Sequence, residues 1–352
     1  MKTYQQVVLL AFLAGGSACS QIETPEKPST PRPELFVPEI SSALQVRDFP
    51  QPSRNPLSKE GVFLGKKLFF DPNLSANGKV SCATCHQPNL AFTDGVALST
   101  KGVSGNKLHR HSPPLFNLAW STTGLFWDGG AIDLESLNFG PITHPDEMAA
   151  DLKEIVAYLI QDKEYPLLFE RAFPESPIQS ATISRALAQY TRTLISQTSK
   201  YDSWKKGELT FNSQELAGYQ VYQNNCTSCH KEGLFTDLKY HNNGLDETYP
   251  DPPALEGLFL GRFRISFDSL DLGAYKTPSL RNITLTAPYM HDGRFETLNE
   301  VLDHYQFGVK INHSLAPQLK GGLALSQKDR LVLLEFLKTL QDDSFIDTNS
   351  KH

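Results

Sequence analysis

Cys82-Ala83-Thr84-Cys85-His86 and Cys226-Thr227-Ser228-Cys229-His230 decide how this chain folds. Two thiols three positions apart on a helical turn can add to the two vinyl groups of a haem. The adjacent histidine then reaches the iron from one face. With five cysteines and ten histidines, chance supplies one such pentapeptide in on the order of 10⁻³ chains of this size. Two together mark covalent c-type haem attachment, with Cys82, Cys85, Cys226 and Cys229 as thioether positions and His86 and His230 as axial ligands. A structural zinc site would not need a histidine directly after each pair. A thioredoxin-like pair needs a strand–helix setting that is missing here. A disulfide framework fits poorly in a long chain with so few cysteines.

Export agrees with this reading, because bacterial c-type attachment takes place outside the cytoplasm. Lys2 precedes an apolar run from Val7 to Ala14, followed by Gly15-Gly16-Ser17-Ala18 and then Cys19. The run is too short for a permanent membrane span, so residues 1–18 are expected to be a secretory signal. The pattern resembles a bacterial lipoprotein signal with Cys19 as the lipidated residue, although Gly16 stands where leucine is usual. Cleavage after Ala18 that leaves Cys19 a free thiol also fits. Residues 19–45, proline- and charge-rich from Thr24 to Pro38, are expected to form an extended tether. The expected location is the periplasm or cell envelope, with membrane contact only through a lipid on Cys19.

The mature part has room for two domains among the 352 residues. A net charge of −6 with no lysine or arginine block argues against nucleic acid as a partner. Helical periodicity dominates. Ile183, Leu187, Tyr190 and Leu194 share one helix face. Ser326-x-x-Asp329 opens a last helix that continues through Leu333, Phe336, Leu337 and Leu340. Asp151 to Phe173 reads as helix interrupted at Pro166. Gly65-x-x-Leu68-Phe69 precedes the first haem motif and Gly218-x-x-Val221-Tyr222 the second, which suggests duplication with close helix approach at each glycine. The expected fold is all-α: two cytochrome c-like haem domains with long loops, residues 46–200 and 201–345, joined near Thr198–Trp204.

Further landmarks are Leu68-Phe69-Phe70-Asp71-Pro72, Phe126-Trp127-Asp128-Gly129, Pro145-Asp146-Glu147-Met148, Thr277-Pro278-Ser279-Leu280-Arg281-Asn282 and Pro288-Tyr289-Met290-His291-Asp292-Gly293. In this order around two haem motifs, the chain resembles the bacterial dihaem cytochrome c peroxidases and their relative MauG, from about Pro56 to Leu340. The resemblance implies that the amino-terminal haem reacts with hydrogen peroxide and the carboxy-terminal haem handles electrons. It places Glu147 as the catalytic carboxyl over the first haem, where it would move a proton between the peroxide oxygens. Trp127 takes the position of an electron relay between the haems. Arg281 and His291 match positions near haem propionates, and Thr286 and Pro288 match backbone-carbonyl ligands of a calcium ion.

Several residues depart from that pattern. Val103 stands where resting peroxidases of the better-known type carry a loop histidine on the first iron, so that iron is expected to keep an open position. Tyr305 stands where the usual peroxidase has an axial methionine, and MauG also has tyrosine there. A phenolate oxygen favours ferric iron and a low potential. His304 is the alternative ligand beside it. Leu137 replaces a distal glutamine, whereas Pro141 is retained. His111 replaces an asparagine ligand of the calcium, a poor exchange for a hard cation.

The leading expectation is an oxidoreductase reducing hydrogen peroxide at the first haem, with electrons from a small periplasmic donor such as a cytochrome c passing through the second. The rival is a MauG-like oxidase acting on a protein or small-molecule substrate; Val103 and Tyr305 lean that way. A dihaem electron carrier without chemistry of its own is the third reading, and Glu147 argues against it.

Overall fold

Two helix pairs, each crossing at a glycine, frame the structure. The computed structural model describes residues 32–46, 48–250 and 257–350. The first half carries helices α1 (Lys59–Phe69), α2 (Cys82–Cys85), α3 (Leu134–Leu137), α4 (Phe139–Thr143), α5 (Leu152–Gln161), α6 (Tyr165–Ala172) and α7 (Ser180–Arg192). The second carries α8 (Lys200–Lys205), α9 (Ser213–Asn225), α10 (Phe263–Ser266), α11 (Leu298–Asp303), α12 (Gln327–Lys338) and α13 (Asp343–Ser350). The sheet among the described residues is one antiparallel pair, β1 (Tyr240–His241) with β2 (Tyr275–Lys276). The fold is therefore mostly helical. No described helix is long and apolar enough to cross a membrane.

Helix α1 starts at Ser58, whose side chain accepts from the Gly61 N–H, and lies across α7. A side chain at Gly65 would collide with the Ala186 carbonyl and the Tyr190 Cβ. Helix α9 starts at an Asn212/Glu215 capping box and lies across α12, which starts at the Ser326/Asp329 box expected from sequence. A side chain at Gly218 would collide with the Val332 carbonyl and the Phe336 Cβ. Both glycines thus permit the backbone contact that their spacing suggested. One apolar cluster gathers Leu64, Leu68, Phe69, Ile183, Leu187, Tyr190 and Leu194. Another gathers Tyr201, Tyr222, Phe235, Leu333, Phe336, Leu337 and Leu340.

Three boundaries differ from expectation. Asp151 to Phe173 is two helices rather than one interrupted helix. The Asp162 carboxylate accepts from the Glu164 and Tyr165 N–H groups, and Pro166 sits in the first turn of α6, where a missing N–H leaves no bond unmade. The expected tether does not extend to residue 45. Phe36 N–H donates to Leu57 O at 3.2 Å, and Ala43 and Leu44 are buried in a short 3-10 turn. Nor does the expected second domain (201–345) keep to its own cluster. Phe345, on α13, packs in the first apolar cluster against Phe92 and Phe116. Conversely, Leu44 packs with Trp120 and Leu234. Apolar residues at either end of the chain thus seal a half remote in sequence. The expected signal (1–18) and Cys19 lie outside the described residues.

Candidate active site

Helix α2 is a single turn that carries Cys82 and Cys85, with His86 at its carboxy-terminal cap. His86 N–H donates to Cys82 O at 2.9 Å, and His230 N–H donates to Cys226 O at 2.8 Å, so both motifs share one local geometry. All four thiols are free. Burial pushes Cys82 and Cys226 up to about 12, so both are protonated thiols. Yet the cysteines and both histidines keep part of their surface accessible, as residues lining a recess do.

Each imidazole is held by a backbone carbonyl. His86 Nδ1 lies 2.8 Å from Phe92 O, and His230 Nδ1 lies 3.2 Å from Phe235 O. A carbonyl only accepts, so Nδ1 carries the proton and Nε2 keeps a bare lone pair, the arrangement an iron ligand needs. Burial lowers the pKa of both rings and keeps them neutral. Phe92 and Phe235 reach this pose with φ of 61° and 54°, a left-handed backbone uncommon for a bulky residue. Both are fully buried, and both begin a Phe-Thr-Asp triplet, Phe92-Thr93-Asp94 and Phe235-Thr236-Asp237. The repeat is visible in the sequence, but its role emerges only with the carbonyl seen on the histidine. Paired thiols and bare Nε2 atoms in two half-open recesses fit two covalent haem groups.

Glu147 stands over the first recess, close enough to act electrostatically on both Cys82 and Cys85. Its own pKa is raised, first by burial. The loop bearing Val103 locks against it: Val103 N–H donates to Glu147 O at 2.7 Å, and Gly102 is flush with the Asp146 carbonyl. Val103 packs against the first apolar cluster. His109 is exposed, with its ring against Phe259. Leu137 joins a small apolar cluster with Leu125 and Leu134, and Pro141 O accepts from Met148 N–H at 3.1 Å.

The second recess has a different lid. Residues His304–Gly308 form a turn of π-helix, a device that re-aims side chains and recurs at functional sites. Tyr305 sits there within electrostatic reach of Cys229 and Cys226. Burial pushes its phenol up to about 12, opposed by a hydrogen bond with Asn243. His304 Nε2 lies 3.0 Å from Asn243 O and so donates its proton there. Its ring is buried against Phe295.

Trp127 lies between the halves. Its indole N–H donates to His111 O at 2.8 Å, and its carbonyl accepts from Lys276 N–H, also at 2.8 Å. His111 acts electrostatically on His86, so one anchor of the tryptophan belongs to the first recess. His291 is buried, stacks on Tyr275 at 3.6 Å, and is held neutral by burial with its pKa near 4. Arg281 is fully buried and gives a double hydrogen bond to Asp202, at 2.8 Å on each arm, and a third bond to Gly233 O. One N–H on each terminal nitrogen remains for a further acceptor.

The calcium set fits poorly. His111 Nδ1 donates to Val96 O at 2.9 Å, and its buried Nε2 has no partner. A nitrogen lone pair thus stands where calcium chemistry calls for an oxygen. No group of three or more His, Cys, Asp or Glu side chains among the described residues could hold a metal ion. Thr286 and Pro288 would have to supply carbonyls without that support.

Comparison with known proteins identifies this arrangement. Residues 59–210 match the family model described as di-haem cytochrome c peroxidase. The methylamine utilization protein MauG of Methylorubrum extorquens is 40% identical over 298 residues, covering 83% of this chain and 81% of that protein. The chain belongs to the di-haem cytochrome c peroxidase family. Another relative in the family, the cytochrome c551 peroxidase of Nitrosomonas europaea, is 33% identical over 291 residues, covering 80% of this chain and 79% of its own. Among solved structures, a MauG-like protein associated with microbial copper homeostasis superposes with a TM-score of 0.78 at 32% identity, covering 94% of this chain and 98% of its own. The di-haem family implies two haem c groups.

Proposed function

We propose that this chain is a periplasmic dihaem peroxidase. It would reduce hydrogen peroxide at a haem held by Cys82, Cys85 and His86, with electrons from a small redox protein such as a cytochrome c. They would arrive through a second haem on Cys226, Cys229 and His230, in a carboxy-terminal haem domain that starts near residue 201. One observation carries the reading: Glu147 lies beside the first haem motif, and the separate loop hydrogen-bonded to its backbone carries an aliphatic Val103 where a histidine ligand would stand. Peroxide can then enter without a side chain having to leave.

The bound haems supply a peroxide-binding iron and storage for two oxidising equivalents. The protein supplies proton control and geometry. The Phe92 carbonyl fixes the His86 tautomer and raises the basicity of its Nε2. The Glu147 carboxylate takes the proton from one peroxide oxygen and returns it to the departing one, so that water rather than hydroxide leaves. Tyr305, with the Asn243 amide on its phenol oxygen, favours the oxidised state of the second centre. Trp127, pinned at its indole N–H and its carbonyl, relays electrons between the halves. Residues 1–18 are a secretory signal, and Cys19 is a lipid anchor on the cell envelope. The His111 nitrogen leaves calcium out of this scheme.

Tyr305 specifically favours a second reading: a MauG-like oxidase that uses the same oxidised centre to withdraw electrons from a substrate at its surface. The experiment is a peroxide titration of the resting ferric protein, without reductant, followed by absorption and paramagnetic resonance. One high-spin and one low-spin ferric haem, converting together to a long-lived oxidised species, is the expected result. Two low-spin haems and no reaction would defeat the proposal. Turnover with reduced cytochrome c then separates peroxidase from oxidase.

A further inference from the structure

Reduction of peroxide takes up two protons and two electrons (H2O2 + 2H⁺ + 2e⁻ → 2H2O). Glu147 moves a proton between oxygens but brings none in, so the pocket needs a path to solvent. His144 stands beside Glu147. Its Nδ1 is 3.9 Å from Glu147 Oε1, and its ring is about half exposed, 46% against 36% for the glutamate side chain. The pair is held by a tight turn: Glu147 N–H and Ala149 N–H both donate to His144 O at 3.0 Å.

The Nδ1 atom has two acceptable partners. In the neutral ring it accepts the Asp146 N–H at 3.1 Å, which leaves the proton on Nε2 toward water. Once protonated, Nδ1 can no longer accept, and the Glu147 carboxylate is the base beside it. Other charged groups facing the pair are few. Asp146 neighbours both residues, with its pKa held down by Asn106 and Ser104, and His109 acts on Asp146. The Cys82 and Cys85 thiols lie on the inner side and become uncharged thioethers on haem attachment, with Lys101 acting at Cys85. Burial raises the Glu147 pKa while His144 opposes it, so the two groups are electrostatically linked.

We propose that His144 is the proton relay from solvent to Glu147. The Nδ1–H proton passes to Glu147 Oε1 and leaves a neutral ring with its proton on Nε2. A proton from solvent (H3O⁺ → H2O) then adds to the vacated Nδ1 lone pair of the half-exposed ring, in place of the Asp146 N–H bond, and restores the charged ring. No electron moves in this step. His144 is a positioning residue that acts through Glu147, and the proposal rests on the proton-carrying role of Glu147.

His144→Asn tests it on the two-haem protein, because an asparagine oxygen can accept the Asp146 N–H two residues on yet carry no proton. Expected are unchanged haem content and a steady-state rate with reduced cytochrome c about tenfold lower. Proton uptake after a peroxide pulse, followed with an indicator dye, should slow equally. Added imidazole should restore both in His144→Ala. Wild-type rate and proton uptake in His144→Asn, or no rescue of a folded, slowed His144→Ala, would overturn the relay. Glu147→Gln in parallel keeps the failures apart. If Glu147→Gln is slow and His144→Asn is not, only the relay falls; if Glu147→Gln is unimpaired, the underlying reading falls.

Discussion

The two recesses are built alike and closed differently. Each has a helix crossing at a glycine, paired thiols, a histidine with Nδ1 on a carbonyl, and a left-handed phenylalanine supplying that carbonyl. Beside the first lie two segments joined by the Val103–Glu147 hydrogen bond; beside the second lies a π-helical turn with Tyr305. Even the repeated aspartates diverge. Asp94 keeps a buried oxygen without a hydrogen bond, whereas Asp237 pairs with His241 Nε2 at 2.8 Å and raises that imidazole to about 9. Under the proposed function, this common machinery supports one half suited to admit a small oxidant and another suited to keep a fixed ligand. Reactivity is decided by the lids.

The comparison breaks most visibly at Glu147. Glu147→Gln should slow peroxide cleavage by roughly 10²–10⁴ in stopped-flow absorption, with both haems attached and the second haem's spectrum unchanged. Equal rates would mean that the first lid has no chemistry. The glycines come next. Gly65→Val or Gly218→Val places a side chain against a helix carbonyl, and each should cost about 4 kcal/mol or more. Denaturant unfolding checks this, and a mild effect at one site would mean that the crossings are not equivalent. Tyr305→Met sharpens the contrast between the lids. It should raise the potential of the second haem by on the order of 100 mV in a redox titration, part of the ~0.8 V that axial ligands command. No shift would remove Tyr305 from the iron.

The smallest effect is on stability. Burial raises the folded pKa of Glu147 above the unfolded value of about 4.3. Its contribution is therefore fully present below that unfolded value and is lost as pH rises through the folded one. Glu147→Gln should melt slightly higher than the parent near neutral pH, on the order of 1 °C for a partly exposed group. That gain should vanish near pH 4. A constant difference across pH would show that the carboxyl is not desolvated.

Much of the attachment chemistry was legible because it is local. Cysteines and histidine within one turn meet the same haem whatever surrounds them, and the capping box at Ser326 acts within its own turn. The glycine pattern was readable as close approach, though not which helix approaches. The Phe-Thr-Asp repeat was overlooked, since nothing in three residues announces that a carbonyl will turn toward an imidazole. Pro166 misled for a related reason: a proline marks a boundary, but the Asp162 carboxylate decides on which side the next helix starts.

By itself the sequence determined where two thiol pairs with an adjacent histidine stand and which residue types lie beside them, because spacing and side-chain chemistry are properties of short segments. The tertiary structure alone decided that the Val103 loop hydrogen-bonds Glu147 above Cys82 and Cys85, that Asn243 takes the His304 proton beside Tyr305, and that Phe345 seals the half at the other end of the chain. Those contacts join segments remote in sequence. They form only when the burial of both cores repays the entropy of closing the long loops between them.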